Sequence, residues 1–278
     1  MPGPDLHLHS TFSDGLLPPG ALVARALTLG LPAIAIADHD SVAAVAPALE
    51  AARGTGLTVV PAVELSASAD GRTVHMLGYF IDHLDAIFLA RLASLREGRR
   101  ARARRIVNAL ATAGIAIDPD TLELDTDQDG AVGRAHIARA LIEAGHARDM
   151  HDAFDRYLGD GAPFFASKAL IRPADAIAWI RDAGGVAVLA HPGLNDIDDM
   201  LPSLIDAGIV GIEAFHASHA PDTACRYADL AGRYGLIATG GSDFHGSPRE
   251  GGDMGCAAAP DRAVEALAEA AAHSRGTR

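Results

Sequence analysis

Short apolar runs alternate with longer amphipathic stretches over the first 85 residues. Asp5–His9, Ala33–Ala37, Leu57–Leu65 and Thr73–Phe80 have the length and apolar density of strands. Between them, Pro19–Leu29 and Val42–Arg53 carry helical spacing and stop at Gly30 and Gly54, a residue that tolerates the left-handed turn at a helix end. The same grammar returns near the C-terminus. Gly185–Ala190, Val210–Phe215 and Leu236–Thr239 read as strands, and Pro173–Ala183, Asp222–Tyr234 and Arg262–His273 as helices. Strand–helix–strand order predicts a mostly parallel α/β sheet, and seven strands in two blocks predict closure toward a barrel.

Between the blocks, from Asp85 to Pro163, strand signals vanish. Ile87–Ala113 is a long helical pattern ended by Gly114 and Pro119, and Arg134–Ala144 and Asp149–Leu158 are two shorter ones. The α/β pattern resumes afterwards. The expected organisation is therefore one barrel from residues 1–85 and 164–278, interrupted by a helical insertion over 86–163.

Composition narrows the class. No run of about 18–20 apolar residues suggests a transmembrane helix, and MPGPDLHLHS lacks the basic and apolar regions of a signal peptide. Two cysteines, Cys225 and Cys256, cannot make a disulfide framework, so a reducing cytoplasm is expected. The net charge of −13 argues against general binding to nucleic acid, duplex DNA included. It would also repel a phosphate unless something local reverses the field. Histidine is abundant: 13, as many as Phe, Tyr and Trp together.

The positions of those histidines matter more than their number. His7 and His9 sit in DLHLHS, where a period of two puts both imidazoles on one strand face. Asp14 follows in FSDG, His39 in IADHD, Glu64 at the end of the third strand and His75 within the fourth. His191 follows VAVLAHPG, and Asp243 and His245 lie in GGSDFHG. Most fall at or just past strand C-termini, where α/β barrels gather their catalytic groups. Six imidazoles with three carboxylates suit Zn²⁺, Mn²⁺ or Fe²⁺, and the lack of cysteine among them disfavours a closed structural zinc site.

The ordered motifs DLHLHSTFSDG, IADHDS, VELS, HMLGYF, AVLAHPG, GIEAFH and GGSDFHG resemble the PHP (polymerase and histidinol phosphatase) family of metal-dependent phosphoesterases. The resemblance implies a distorted (β/α)7 barrel with two or three divalent ions, Mn²⁺ foremost. It implies that His7, His9, Glu64 and Asp243 hold one ion, that Glu64 bridges to a second held by His75 and His191, and that Asp14, His39 and His245 hold a third. Several family members carry histidine where this chain has Asp14, and a carboxylate there favours a harder ion such as Mn²⁺. Two bridged cations lower the pKa of a shared water and clamp an in-line displacement at phosphorus. The expected reaction is attack of a metal-bridging hydroxide on a phosphoester, with Glu64, Asp243 and His216 as the catalytic residues.

The insertion carries the motifs RRARARRI (Arg99–Ile106) and GRAHIAR (Gly133–Arg139). These resemble the branch of 3′,5′-nucleoside bisphosphate phosphatases and 5′→3′ exoribonucleases that act on short 5′-phosphorylated RNA. Arg91 to Arg105 holds seven arginines and one glutamate, a locally basic helix that could grip the phosphate that is not cleaved. A solvated helix face accounts for most of them. Arg99, Arg102, Arg134, His136, Lys168 and His216 are the substrate-binding candidates. Asp125–Gly130 opens like an EF-hand loop, but its twelfth position is His136 where a bidentate glutamate is required.

Three other readings compete. A histidinol-phosphate phosphatase leaves the arginine-bearing insertion without a purpose. An amidohydrolase fits barrel and metal but has no lysine at a strand end. A degenerate scaffold or nucleic-acid-binding module should have lost ligands, and all nine positions carry competent side chains.

Overall fold

A computed structural model of the chain describes residues 2–118, 122, 131–159, 161–166, 171–195, 197–247 and 252–276. Lys168 and the acidic loop Asp125–Gly130 lie outside the described residues. Seven strands run in the order β1 (Asp5–Leu8), β2 (Ala33–Ile36), β3 (Thr58–Ala69), β4 (Arg72–Tyr79), β5 (Val186–Leu189), β6 (Gly211–His216) and β7 (Ile237–Gly241). Hydrogen bonds from the Asp243 amide to the His7 carbonyl (2.9 Å) and from the His9 amide to the Phe244 carbonyl (3.0 Å) bring the last strand back to the first. The result is the distorted (β/α)7 barrel.

The sheet departs from the expected parallel pattern at one strand. β4 is antiparallel to both β3 and β5. The cause is the two-residue Asp70-Gly71 turn, with φ of +51° and +77°, the geometry of a type I′ hairpin that lets β3 return at once on itself. β3 also runs four residues past its expected end at Leu65. Alternation then does the sorting: Val60 and Ala62 of β3 and Leu77 and Tyr79 of β4 fill the barrel interior, while Val63, Leu65, Val74 and Met76 face the outer helices. Glu64 and His75 continue the inward faces of their strands. Because β4 is reversed, His75 reaches the barrel rim from the strand's N-terminal half.

The outer helices are α1 (Pro19–Leu29), α2 (Val45–Ala52), α6 (Pro173–Asp182), α7 (Leu201–Ala207), α8 (Pro221–Tyr234) and α9 (Ala263–Gly276). The short α7, which opens on Leu201-Pro202, had no counterpart among the expected elements. α9 sets Ala263, Leu267 and Ala271 onto the interior cluster. The inserted segment holds α3 (Ala86–Thr112), α4 (Arg134–Glu143), α5 (Met150–Ala153) and a π-helical turn at Phe154–Leu158. α3 serves two cores: Phe88 and Leu92 pack with the barrel's outer layer, and Ala103, Ile106 and Leu110 with Ile137, Leu141 and Leu158 of the insertion. Among the described residues, no helix is long and apolar enough to cross a membrane.

Leu110 is fully buried in the insertion's cluster. Leu110→Ala is expected to lower the unfolding free energy by about 2–5 kcal/mol in a urea titration; a change under about 0.5 kcal/mol would contradict this packing.

Candidate metal centre

The loops that leave β1, β2, β5 and β7 converge on Glu64. Its Oε1 lies 2.8 Å from His75 Nδ1 and 3.1 Å from His191 Nε2, and its Oε2 lies 3.0 Å from His39 Nδ1 and 3.4 Å from both His7 and His9 Nε2. Asp243 Oδ1 stands 3.0 Å from His9 Nε2 and 3.5 Å from His7 Nε2. Asp14 Oδ1 stands 3.3 Å from His245 Nε2 and 3.7 Å from His9 Nδ1. His39 reaches both ways, with Nε2 at 3.8 Å from Asp14. All nine expected ligand positions are thus brought together, with His9 at the centre of three groupings.

Buried partners fix which nitrogen of each imidazole faces inward. Glu213 accepts from His7 Nδ1 at 2.9 Å and from the His191 amide at 2.9 Å. Ser13 gives its one hydroxyl proton to Asp38 at 2.5 Å, so it accepts from His9 Nδ1 at 3.3 Å. His245 Nδ1 donates to the Asp243 carbonyl at 2.7 Å. Nε2 is therefore the nitrogen that each of these rings turns to the cluster, a lone pair in the neutral ring; the carboxylates around His7 and His245 favour a second proton there, which a cation would have to displace. The Nε2 atoms of His7 and His9 are 3.1 Å apart, with carboxylate oxygens of Glu64 and Asp243 beside them. With both rings neutral, four acceptors converge with no donor between them. The buried atoms Asp14 Oδ1, His39 Nδ1, Glu64 Oε2 and His191 Nδ1 likewise have no hydrogen-bond partner among the described residues. Buried polar atoms are rarely left this way, and divalent cations fit such a donor set.

His216 is the exception. Its Nδ1 accepts from the Ser218 amide at 3.1 Å, so in the neutral ring the proton sits on Nε2, which stands 3.3 Å from Asp243 Oδ2 and, like the atoms above, has no hydrogen-bond partner among the described residues. It offers a donor where its neighbours offer lone pairs.

Electrostatics follow from the crowding. Burial alone would raise the pKa of Glu64, but His39, His75 and His7 outweigh it and hold the carboxyl well below the ordinary range. Asp14 and Asp243 are held low in the same way, against burial, chiefly by His245 and His7 respectively. Burial takes His75 down to about 4 despite Glu64. Asp14 and Asp243 draw His245 up to about 10 against its burial. The backbone is also forced: Asp40, His191 and Asp243 have φ of +51°, +24° and +53°, strain of the kind that concentrates at functional sites. A Cβ on Gly241 would stand 2.3 Å from His7 Cβ, so only glycine lets β7 pass this close to β1.

A cavity of about 430 Å³ opens from this centre toward the insertion, lined at one end by Asp14, His39 and His75 and at the other by Arg99, Arg102, Arg134, Phe154 and Phe165. Ser66 and Ser68, on the unexpected extension of β3, form its floor with Thr73. Arg99 is anchored, its Nε on Asp40 Oδ2 at 2.5 Å and its Nη2 on Ser66 Oγ at 2.7 Å. Of the other arginines of α3, Arg91 pairs with Asp182 and Arg100 and Arg104 with Glu97, while Arg96 is buried with Nη1 on the Asp40 carbonyl. His136 does not line the cavity; its Nδ1 accepts from the Gly133 amide and caps α4. Arg139 reaches the Asp14 carbonyl at 2.6 Å.

The PHP-domain family model matches residues 5–159, more than half the chain. This protein belongs to the PHP family. A 3′,5′-nucleoside bisphosphate phosphatase of Chromobacterium violaceum is 40% identical over 257 residues, covering 90% of both chains. The 5′-3′ exoribonuclease Rnm of Escherichia coli K12 is 37% identical, covering 87% of this chain and 84% of its own. Among solved structures, a Bifidobacterium adolescentis protein assigned as a metal-dependent phosphoesterase superposes with a TM-score of 0.88 at 32% identity, covering 96% of each chain.

Within this PHP site, Glu213, Asp38, Asp40, Arg96, Arg139, Phe154 and Phe165 were not anticipated. A carboxylate inside an apolar strand, as Glu213 is in GIEAFH, and the aspartates flanking His39 were the available signals. The Asp40–Arg99 pair joins barrel to insertion while buried. Removing one partner strands the other charge, so Asp40→Ala is expected to destabilise by about 3–5 kcal/mol in chemical denaturation. A double-mutant cycle with Arg99→Met should show strong coupling, and additive effects would contradict the pairing.

Proposed function

We propose that this PHP protein is a divalent-metal-dependent phosphoesterase that removes the 3′-phosphate of nucleoside 3′,5′-bisphosphates, with short 5′-phosphorylated RNA as a second substrate of the same site. The observation that carries this reading is the single cavity joining Asp14, His39 and His75 to Arg99, Arg102 and Arg134. A substrate with two phosphates needs such a site: one end for chemistry and a basic end, in a chain of net charge −13, for the phosphate that stays.

His7, His9, Glu64 and Asp243 would hold one ion, Glu64, His75 and His191 a second, and Asp14, His39 and His245 a third. Mixed imidazole and carboxylate donors, with Asp14 in the third set, favour Mn²⁺. Bound there, divalent ions polarise the phosphoryl oxygens and lower the pKa of a water. The protein's own contribution is orientation. Glu213 and the Ser13–Asp38 pair keep His7 and His9 in one tautomer. Arg102 and Arg134 at the far end offer guanidinium donors to phosphate, and Arg99, its Nε and Nη2 on Asp40 and Ser66, fixes the wall beside them. His216, the one ring here with an inward N–H held by its backbone partner, is assigned to the departing 3′-oxygen. The free, exposed thiols of Cys225 and Cys256 accord with a reducing cytoplasm.

With Mn²⁺ present, kcat/KM for adenosine 3′,5′-bisphosphate is expected to exceed that for AMP or histidinol phosphate by about 10²-fold, the scale of charge-assisted contacts to a second phosphate. Equal or better turnover of histidinol phosphate would transfer the assignment to a small-monoester phosphatase. Glu64→Ala should lose about 10³-fold or more in kcat; full turnover in a folded, metal-replete variant would sink the mechanism.

A further inference from the structure

The far end of the cavity is walled by an aromatic ring outside the insertion's apolar core. Phe164 and Ala166 pack against that core, whereas Phe165 is 39% exposed and lines the cavity. Two guanidinium groups share its ring: Arg102 and Arg134 each lie 5.7 Å from its centroid. Arg134 also lies 5.5 Å from the ring of Phe154. Backbone carbonyls pin one edge of each arginine. Arg102 Nε donates to Ala166 at 2.6 Å, and Arg134 Nη1 to Leu158 at 3.1 Å. Phe154 opens the π-helical turn and Leu158 closes it, so a single short segment, 154–166, supplies both rings and both carbonyls.

Two like charges held around one ring repel each other. The ring's negative face and the carbonyls offset part of that repulsion, and a phosphate held between the guanidiniums would be attracted to both. Arginine otherwise carries about 2 kcal/mol of rotamer entropy, and stacking removes much of that cost before a ligand arrives.

We propose that Phe165 is a positioning residue for substrate choice, holding Arg102 and Arg134 as a clamp on the substrate phosphate that is not cleaved. This rests on the bisphosphate reading above and names the segment that enforces it. The test compares metal-loaded wild type, Phe165→Leu, Phe165→Met and Phe165→Tyr on adenosine 3′,5′-bisphosphate and on p-nitrophenyl phosphate, which has no second phosphate. The Leu and Met variants should each raise KM for the bisphosphate about tenfold, with kcat within about twofold and the KM for p-nitrophenyl phosphate unchanged. Phe165→Tyr, which keeps the ring, should restore the wild-type KM. An unchanged bisphosphate KM in both Leu and Met variants, or equal weakening for both substrates, overturns the clamp alone. A wild type with no preference for the bisphosphate overturns the substrate assignment and the clamp with it.

Discussion

A carboxylate that is 1% exposed, Glu64, lies within 3.4 Å of nitrogens from five histidines. Burying such a group costs several kcal/mol unless positive charge meets it, and neutral imidazoles meet it only if each has a proton to give. His9, kept neutral by burial, does not, because Ser13 takes its Nδ1 proton; His7 spends its Nδ1 proton on Glu213, so only a second proton or a cation at Nε2 can meet Glu64. Glu64 and its neighbours thus form a donor set that divalent cations fit. The reversal of β4, the positive φ at His191 and Asp243, and the glycine at 241 all serve to bring side chains from opposite sides of a barrel to this one carboxylate.

The insertion depends on the same centre. Beyond the apolar seat of Phe88 and Leu92 on the barrel's outer layer, it docks on the loops that carry the candidate ligands. Arg96 and Arg99 hold Asp40, the residue after His39; Arg139 holds the Asp14 carbonyl; the Ala131 amide donates to Phe12. A shift of the insertion would therefore move Asp14 and His39. The arginines divide in the same way: on α3, Arg91, Arg100 and Arg104 pair with Asp182 and Glu97 and Arg99 with Asp40, while Arg102 of α3 and Arg134 of α4 line the far end of the cavity.

Much of this was legible in the residues. Strand positions, the helical interruption and all nine inward-facing ligand candidates followed from apolar runs, glycine stops and histidines at strand ends. The missing parts were of two kinds. The Asp70-Gly71 turn was a local signal present in ASADGRTV, obscured because small polar residues mask a strand that lies partly over a cavity. The partners Glu213, Asp38 and Asp40 act through tertiary contacts 28 to 206 residues away in sequence, and no periodicity encodes those. His136 shows the converse: a motif histidine whose nitrogen is used to cap its own helix.

The central claim is that the Glu64 cluster is a cation site. Chelator-stripped protein titrated with Mn²⁺, with the thermal unfolding midpoint followed at fixed pH, tests it without reference to turnover. Saturating metal should add about 3–4 kcal/mol of stability at a hundred- to thousandfold excess over Kd, seen as a rise of several degrees in Tm. The same titration on Glu64→Gln should give a clearly smaller rise. A midpoint unmoved by Mn²⁺, Zn²⁺ and Fe²⁺ alike would contradict the account.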